Sequence, residues 1–103
     1  MPYHLDIADA EQQYFDNLPL SPEAKGRVRR FVEQFIANVP DDFRLDPGNR
    51  PTPNAPYFKV QHVIWDCWGD GHMHAIDFHI RDDKAEFGVL LIVFIDHVLG
   101  QVL

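Results

Sequence analysis

The sequence predicts an α+β domain in which two N-terminal helices pack on a small antiparallel sheet, in the order β-α-α-β-β-β. Two observations carry this prediction: a stripe of apolar residues with helical period between positions 28 and 39, and three runs of strand character between positions 58 and 97. A chain of 103 residues has the bulk for one modest core, so we expect a single domain covering residues 1–103.

The N-terminal residues predict a short strand followed by a helix. Residues 3–7 (YHLDI) alternate apolar and polar side chains, as a half-buried strand does. Asp9 is a suitable N-cap for a helix that runs to about Leu18, with Tyr14, Phe15 and Leu18 on its apolar side. The chain is therefore expected to open with one strand and one helix.

The second helix is predicted from its cap and its apolar stripe. The Ser21 hydroxyl can cap the helix, and Pro22 suits its first turn. Pro40 marks the end of the pattern. The stripe consists of Val28, Phe31, Val32, Phe35, Ile36 and Val39.

Two alternating runs, FKVQHVIWDC and HAIDFHIRDD, predict a β-hairpin with one apolar and one polar face. If the turn (WGDGH) is centred on Asp70, then Lys59 lies opposite Arg81, and Gln61 lies opposite His79. In this register the apolar face pairs Ile64 with Ile76, Val60 with Ile80, and His62 with Phe78.

The final strand, Val89 to Ile95, is apolar on both faces. If Leu90, Ile92 and Phe94 join the core, the alternate residues need another cover. The row is formed by Val89, Leu91, Val93 and Ile95. Its cover could be the first strand and flanking loops, if this strand is central in the sheet, or a protein partner or second subunit.

Residues 40–56 predict a long irregular segment between the helices and the hairpin. They hold five of the eight prolines and an Asp46-Pro47-Gly48-Asn49 turn signal. A loop of this length is often functional in a compact domain, and it can also be a stiff crossover. Both interpretations stay open from the sequence.

The net charge of −7 argues against a protein whose whole surface binds nucleic acid. Such an acidic surface favours solubility or a basic protein partner. A local basic cluster is formed by Lys25, Arg27, Arg29 and Arg30. It lies mostly off the apolar stripe, so a solvated helix face is preferred to a binding patch.

The sequence predicts a cytoplasmic protein without membrane contact. No apolar run approaches the roughly 18 to 20 residues that a membrane span needs. The N-terminus opens with Met1, Pro2, Tyr3 and His4, unlike a secretory signal. A single cysteine, Cys67, fits a reducing compartment.

We expect no cofactor and no metal. His72 and His74 form an H-x-H pair that a strand places on one side, but Asp77 and His79 then point to the other side. Closed zinc sites usually contain several cysteines, and only Cys67 is present. Nor does Cys67 suit a nucleophile, because the neighbouring aspartates would raise its pKa.

The polar face of the hairpin is the candidate site. Lys59 and Arg81 could bind an anion such as phosphate, and His79 could transfer a proton. Gln61 and Trp65 extend this face as binding residues, and Arg44 of the preceding loop is a further candidate. The alternative is an ordinary solvated face, with counter-charges supplied by Asp77, Asp82 and Asp83.

The order of elements and the chain length resemble the RelE/ParE superfamily of small bacterial toxins from toxin–antitoxin pairs. The resemblance is carried by YHLDI with the helical pair, and by the runs FKVQHVIWD, IDFHIRDD and VLLIVFIDH. It spans nearly the whole chain as topology and apolar pattern rather than as a signature motif.

The resemblance implies one of two activities. In the ribosome-dependent nuclease branch, the sheet carries basic and imidazole groups that act on mRNA without a metal. By position, Lys59, His79, Arg81 and His97 would be their counterparts here. The gyrase-poisoning branch shares the fold and cleaves no RNA.

A second function stays open, because family toxins are usually basic and this last strand ends Asp96-His97-Val98-Leu99 without the expected basic or tyrosine residue. The alternative is a non-catalytic, acidic and dimeric module that binds a basic protein, as immunity proteins and nuclease inhibitors do.

Overall fold

The four strands form one mixed sheet in the order β1-β4-β3-β2, in which β1 runs parallel to β4 and the other neighbours are antiparallel. The structure is a computed structural model that describes residues 2–65 and 72–102. The strands are β1 His4–Ile7, β2 Tyr57–Trp65, β3 His72–Arg81 and β4 Val89–Val102. The α+β class and the predicted order of elements are confirmed, whereas the sheet is mixed rather than antiparallel, because β1 runs parallel to β4.

Two main helices cover one face of this sheet, α1 (Asp9–Asp16) and α2 (Pro22–Gln34). As predicted, the Ser21 side chain caps α2 by accepting a hydrogen bond from the Ala24 N–H at 3.1 Å. The prediction that Asp9 caps α1 is wrong: Ala8 holds the cap position, and no side chain bonds there. None of the helices in the described ranges has the length and apolar character to cross a membrane.

The core lies between these helices and the sheet. Helix α2 ends at Gln34 and continues as a 3₁₀ turn, Ile36–Asn38, so the apolar stripe buries residues of both elements. Tyr14, expected on the apolar side of α1, is 40% exposed. The buried apolar residues of the helical segments and their turns include Phe15, Leu18, Leu20, Val28, Ile36 and Val39.

The hairpin faces agree with the alternating pattern, but the register differs by two residues. Lys59 lies opposite His79 rather than Arg81, and Gln61 lies opposite Asp77 rather than His79. A shift of two residues leaves every side chain on its own face, so alternation cannot detect it. The turn that sets the register, residues 66–71, lies outside the described residues.

A β-bulge at Val93 changes which residues of β4 face the core. Ile80 pairs with Ile92 and His79 with Phe94, so Val93 is an extra residue in β4. After the bulge Ile95 is only 2% exposed, whereas Phe94 is 46% exposed. The expectation that Phe94 joins the core and Ile95 lies outside it is therefore wrong.

The segment between the helices and the hairpin is clamped to the sheet by charged side chains. It forms a short helix, α3 (Asp41–Arg44), and a 3₁₀ turn, Pro47–Asn49. Arg44 donates to the buried Asp82 carboxylate at 2.9 Å, and Arg50 donates to the same oxygen. Arg50 also bonds the Ala55 carbonyl at 2.9 Å. These contacts make the segment an ordered crossover.

Candidate functional site

Helices α1 and α2 leave the opposite face of the sheet free, and we call it the open face. Strand alternation places four side chains from each of three strands on it. They are Tyr57, Lys59, Gln61 and Val63 of β2, Ala75, Asp77, His79 and Arg81 of β3, and Leu91, Phe94, Asp96 and Val98 of β4. The ladders arrange them in four rows that cross the sheet.

Two neighbouring rows bring three predicted site residues together. Lys59 and His79 are directly paired, and Arg81 lies two residues further along β3. The His79 ring contacts the Phe94 ring edge-on, with centroids 5.0 Å apart, and lies 5.7 Å from the Tyr57 ring. Lys59 and Arg81 therefore form a cationic cluster beside the His79 ring and its aromatic neighbours.

The environment of His79 favours its neutral form. Burial is the main factor that lowers its pKa, and the positive charge of Lys59 lowers it further, while Asp77 and Asp96 act in the opposite sense. Since the pKa falls below its ordinary value of 6.5, the imidazole is mainly neutral at neutral pH. A neutral imidazole beside a cation can accept a proton.

Arg81 forms an exposed ion pair that an incoming anion could replace. Its guanidinium lies 2.8 Å from the Asp83 carboxylate, and both side chains are about half exposed. That hydrogen bond is the main reason why the pKa of Asp83 is lowered. Exposed ion pairs contribute little to stability, so Arg81 can turn to an incoming anion at small cost.

An acidic row lies beside the cationic cluster. Asp77 is paired with Asp96 across the β3–β4 ladder, and like charges placed opposite each other repel. Gln61 donates its amide N–H to Asp77 at 2.8 Å. The open face is thus cationic in the row of Lys59 and anionic in the neighbouring row of Asp77 and Asp96.

His97 does not lie with the other three candidates. It pairs with Ile76, on the helix side of the sheet, because the bulge at Val93 turns this part of β4. Its Nε2 lies 3.1 Å from Nδ1 of the buried His74, and the two rings are stacked. Burial, followed by the neighbouring His74, lowers the pKa of His97. The structure therefore places His97 in a separate pair with the buried His74.

Two further predicted binding residues, Arg44 and Trp65, are not among the described side chains of the open face. Arg44 is only 15% exposed and its guanidinium is engaged by Asp82 and Asp41, so it helps to hold the crossover segment. Trp65 pairs with Met73 through the backbone, and its side chain lies outside the described residues.

Within the described ranges, no group of three or more His, Cys, Asp and Glu side chains could hold a metal ion. Of the H-x-H pair, His74 faces His97 on the helix side, while Asp77 and His79 lie on the open face. Cys67 and the His72 side chain, which were considered for nucleophilic chemistry and metal binding, lie outside the described residues.

The sequence did not predict a recess of about 520 Å³ that opens beside Lys59. The crossover segment lines one side through Asn49 and Pro51, and the sheet contributes Lys59, Gln61 and Asp77. Its position depends on the contacts of Asp82 with two distant arginines, which no local pattern encodes. The only signal in the sequence is the length and proline content of residues 40–56.

The row expected to bind a partner is interrupted. Val89, Leu91 and Val93 are partly exposed, but Ile95 belongs to the core. β1 pairs with β4 only as far as Ile92. Beyond that point, the Ile95 N–H donates a hydrogen bond to the Glu11 carboxylate, at 3.1 Å.

Comparison of the chain with family models, with curated proteins and with solved structures finds no match. Fold and site geometry are therefore the grounds for a functional proposal.

Proposed function

We propose that this chain is a RelE/ParE-like cytoplasmic toxin of a toxin–antitoxin pair that cleaves ribosome-bound mRNA without a metal. One observation carries the proposal: Lys59 faces His79 across the β2–β3 ladder, with Arg81 next along β3, on the sheet face that the helices leave open. Cleavage by the 2′-hydroxyl of RNA itself requires a general base and cations that stabilise the charge on the phosphate. A neutral imidazole beside two cations can supply both.

The proposed chemistry is a transesterification within the RNA. His79 takes the proton of a 2′-hydroxyl, and the oxygen attacks the adjacent phosphorus. The bond from phosphorus to the 5′ oxygen breaks, leaving a 2′,3′-cyclic phosphate and a 5′-hydroxyl that takes its proton from water. Lys59 and Arg81 stabilise the negative charge that builds on the phosphate. Phe94 offers an exposed ring on which a base can stack.

The overall charge limits how this site meets RNA. A chain with a net charge of −7 attracts no free polyanion over its whole surface. Its affinity for naked RNA should therefore be low, and the cationic cluster acts on a strand that is presented to it. A dependence on the ribosome is consistent with this requirement.

A second function is favoured by the acidic row. The paired Asp77 and Asp96, together with the exposed Phe94 and Val98 on the same face, suit a non-catalytic module that binds a basic protein. Val89, Leu91 and Val93 would then take part in a homodimer or in a contact with the partner. In this case His79 transfers no proton.

The test is induction of the protein in bacteria, with growth and mRNA integrity followed. Lys59→Ala/Arg81→Ala removes both phosphate-binding cations. Arg27→Ala/Arg30→Ala is the matched control, because it removes the same charge from exposed positions of α2 that form no ion pair within the described ranges. We expect the wild type and the control to arrest growth and cleave mRNA, and the first variant to do neither.

Two other outcomes overturn the nuclease proposal. Growth arrest with intact mRNA would favour the gyrase-poisoning branch. Normal growth with abundant, folded wild-type protein would favour the acidic binding module, and pull-down of a basic protein that Asp77→Lys/Asp96→Lys releases would support it.

A further inference from the structure

The sheet has one long and regular edge, strand β2. The outer strands of the sheet are β1 and β2. β1 has four residues, whereas β2 has nine and pairs with β3 throughout, without a bulge in their register. None of the nine is a proline. Natural proteins usually shorten, bulge or interrupt such an edge, because an unguarded edge pairs with another strand. β2 is therefore the edge at which a further strand would pair.

The edge of β4 is better protected than that of β2. β1 covers it as far as Ile92, and the bulge at Val93 interrupts the regular strand just beyond. The Ile95 N–H is already bonded to the Glu11 carboxylate, at 3.1 Å. A partner strand would therefore pair with β4 less readily than with β2.

Alternate residues of β2 present their backbone groups at this edge. The Asp82 N–H donates to the Pro56 carbonyl at 3.3 Å, which continues the β2–β3 ladder by one pair. Because hydrogen-bonded and non-hydrogen-bonded pairs alternate in an antiparallel ladder, the even-numbered residues of β2 bond to β3 and the odd-numbered ones face outward. The position of Arg50 agrees with this assignment, since its guanidinium donates to the Tyr57 carbonyl at 3.4 Å from the crossover segment.

The outward backbone groups of Lys59, Gln61 and Val63 are available to a further strand. Among the residues that the structure describes, none forms a hydrogen bond with these N–H and C=O groups. The recess of about 520 Å³ beside them is lined by Phe43, which packs on the core, and by Asp77 of the open face. Because its walls come from both faces of the sheet, the recess runs around the edge of β2 and leaves room for a chain there.

Strand β2 is complementary to an antiparallel copy of itself. Its midpoint is Gln61, so a twofold axis at this residue aligns the whole strand with that of a second copy. In this register Lys59 lies opposite Val63 of the second copy, and no like charges face each other. An axis centred on Lys59 would instead oppose two ammonium groups. The charge of Lys59 therefore selects the register.

The same register brings apolar side chains together on the helix side of the sheet. The buried Phe58 lies opposite Ile64 of the second copy. The buried Val60 lies opposite His62, whose ring is partly exposed and stacks on Phe31. Pairing of the two strands would therefore extend the core across the axis and cover part of the imidazole.

We propose that the protein forms a twofold symmetric dimer through the edge of β2, with the two strands antiparallel and centred on Gln61. The two four-stranded sheets then become one continuous sheet, and both open faces lie on the same side of it. This interface is distinct from the row expected along β4. It does not depend on the proposed nuclease chemistry.

The test is sedimentation velocity over a range of protein concentrations, which measures the Kd of the dimer. Gln61→Pro removes the central outward N–H and leaves the bonds to β3 in place, so it should raise the Kd by about 5- to 150-fold. The circular dichroism spectrum of each variant shows whether the fold is kept.

A pair of charge substitutions tests the register. Val63→Lys places like charges opposite each other twice, because the twofold axis repeats the pair, and should raise the Kd by about 2- to 30-fold. Val63→Glu places a carboxylate opposite Lys59 and should dimerise at least as tightly as the wild type. Val98→Lys is the matched control, because it adds the same charge to an exposed open-face position on β4 and should leave the Kd unchanged.

The outcomes decide between this interface and its alternatives. A wild type that stays monomeric up to about 1 mM overturns the dimer and leaves the edge of β2 to a strand of another protein. A dimer that Val63→Lys and Val63→Glu weaken equally overturns the register, and one that only Val93→Lys weakens places the interface on β4. A folded Val63→Lys variant with a raised Kd, beside unchanged Val98→Lys, establishes the proposal even if Gln61→Pro fails to fold.

Discussion

The two faces of the sheet differ in kind although the same strands supply both. On the face under the helices, Phe58, Ile76 and Ile80 are fully buried. On the open face, β2 and β3 present the charged or imidazole side chains of Lys59, Asp77, His79 and Arg81, and the aromatic Phe94 of β4 is 46% exposed. The difference indicates that one face supplies stability and leaves the other available for chemistry.

Mutations on the two faces test whether they differ in their contribution to stability. Phe58→Ala should lower the free energy of unfolding by about 3 to 5 kcal/mol, because it leaves a cavity in the core. Phe94→Ala removes the same ring from the open face and should cost less than about 1 kcal/mol. Urea denaturation of both variants measures the contrast. Equal losses would mean that the open face is also a structural face.

The next largest effect concerns the clamp on the crossover segment. Asp82→Ala leaves the guanidinium groups of Arg44 and Arg50 without their buried carboxylate, and should cost about 3 kcal/mol. The neighbouring Asp83→Ala is the control, because its ion pair with Arg81 is half exposed and screened by solvent, so the free energy of unfolding should hardly change. If the two variants unfold at the same urea concentration, the clamp is not a stabilising contact.

A smaller effect is expected at the bulge that divides β4. Glu11→Ala removes the acceptor of the Ile95 N–H and should cost about 1 to 2 kcal/mol. Amide hydrogen exchange at Ile95 should also become faster, which a general loss of helix stability would not produce locally. Glu11→Gln keeps an oxygen acceptor and should restore most of the protection. An unchanged exchange rate in Glu11→Ala would contradict this role.

The smallest effect is a dependence of stability on pH. Burial lowers the pKa of His62 and of His97 below the ordinary value of 6.5. The unfolded chain therefore takes up protons before the folded chain does, so stability is full above about pH 7 and falls as the pH drops below about 6.5.

Urea denaturation at about pH 7.5 and about pH 5.5 tests this expectation. His62→Phe should reduce the loss, because it keeps an aromatic ring against Phe31, now 4.3 Å from the imidazole, and cannot be protonated. A wild type that is as stable at the lower pH as at the higher one would show that neither imidazole is destabilised by its surroundings.

Much of the fold follows from local patterns. The Ser21 cap and the stripe around Val28 predicted α2, and alternation predicted which residues of the hairpin face the core. Each of these signals reports whether a side chain is buried, and burial recurs with the period of the element. Lys59, His79 and Arg81 could therefore be placed together on one face.

The arrangement within that face could not be predicted. The pairing of Lys59 with His79 depends on the turn, because a register shift of two residues preserves alternation. The bulge at Val93 is a property of the β3–β4 ladder, and it moves Ile95 and His97 to the helix side. No pattern within β4 marks it.

The sequence by itself thus determined the class of fold, the second helix and the polar character of the open face. The tertiary structure alone decided the register, the bulge, the His74–His97 pair and the clamp of Asp82 on Arg44 and Arg50. The physical reason is distance along the chain. Burial of a side chain is indicated by the pattern of its neighbours in sequence, whereas contacts between remote residues depend on how the helices and strands pack.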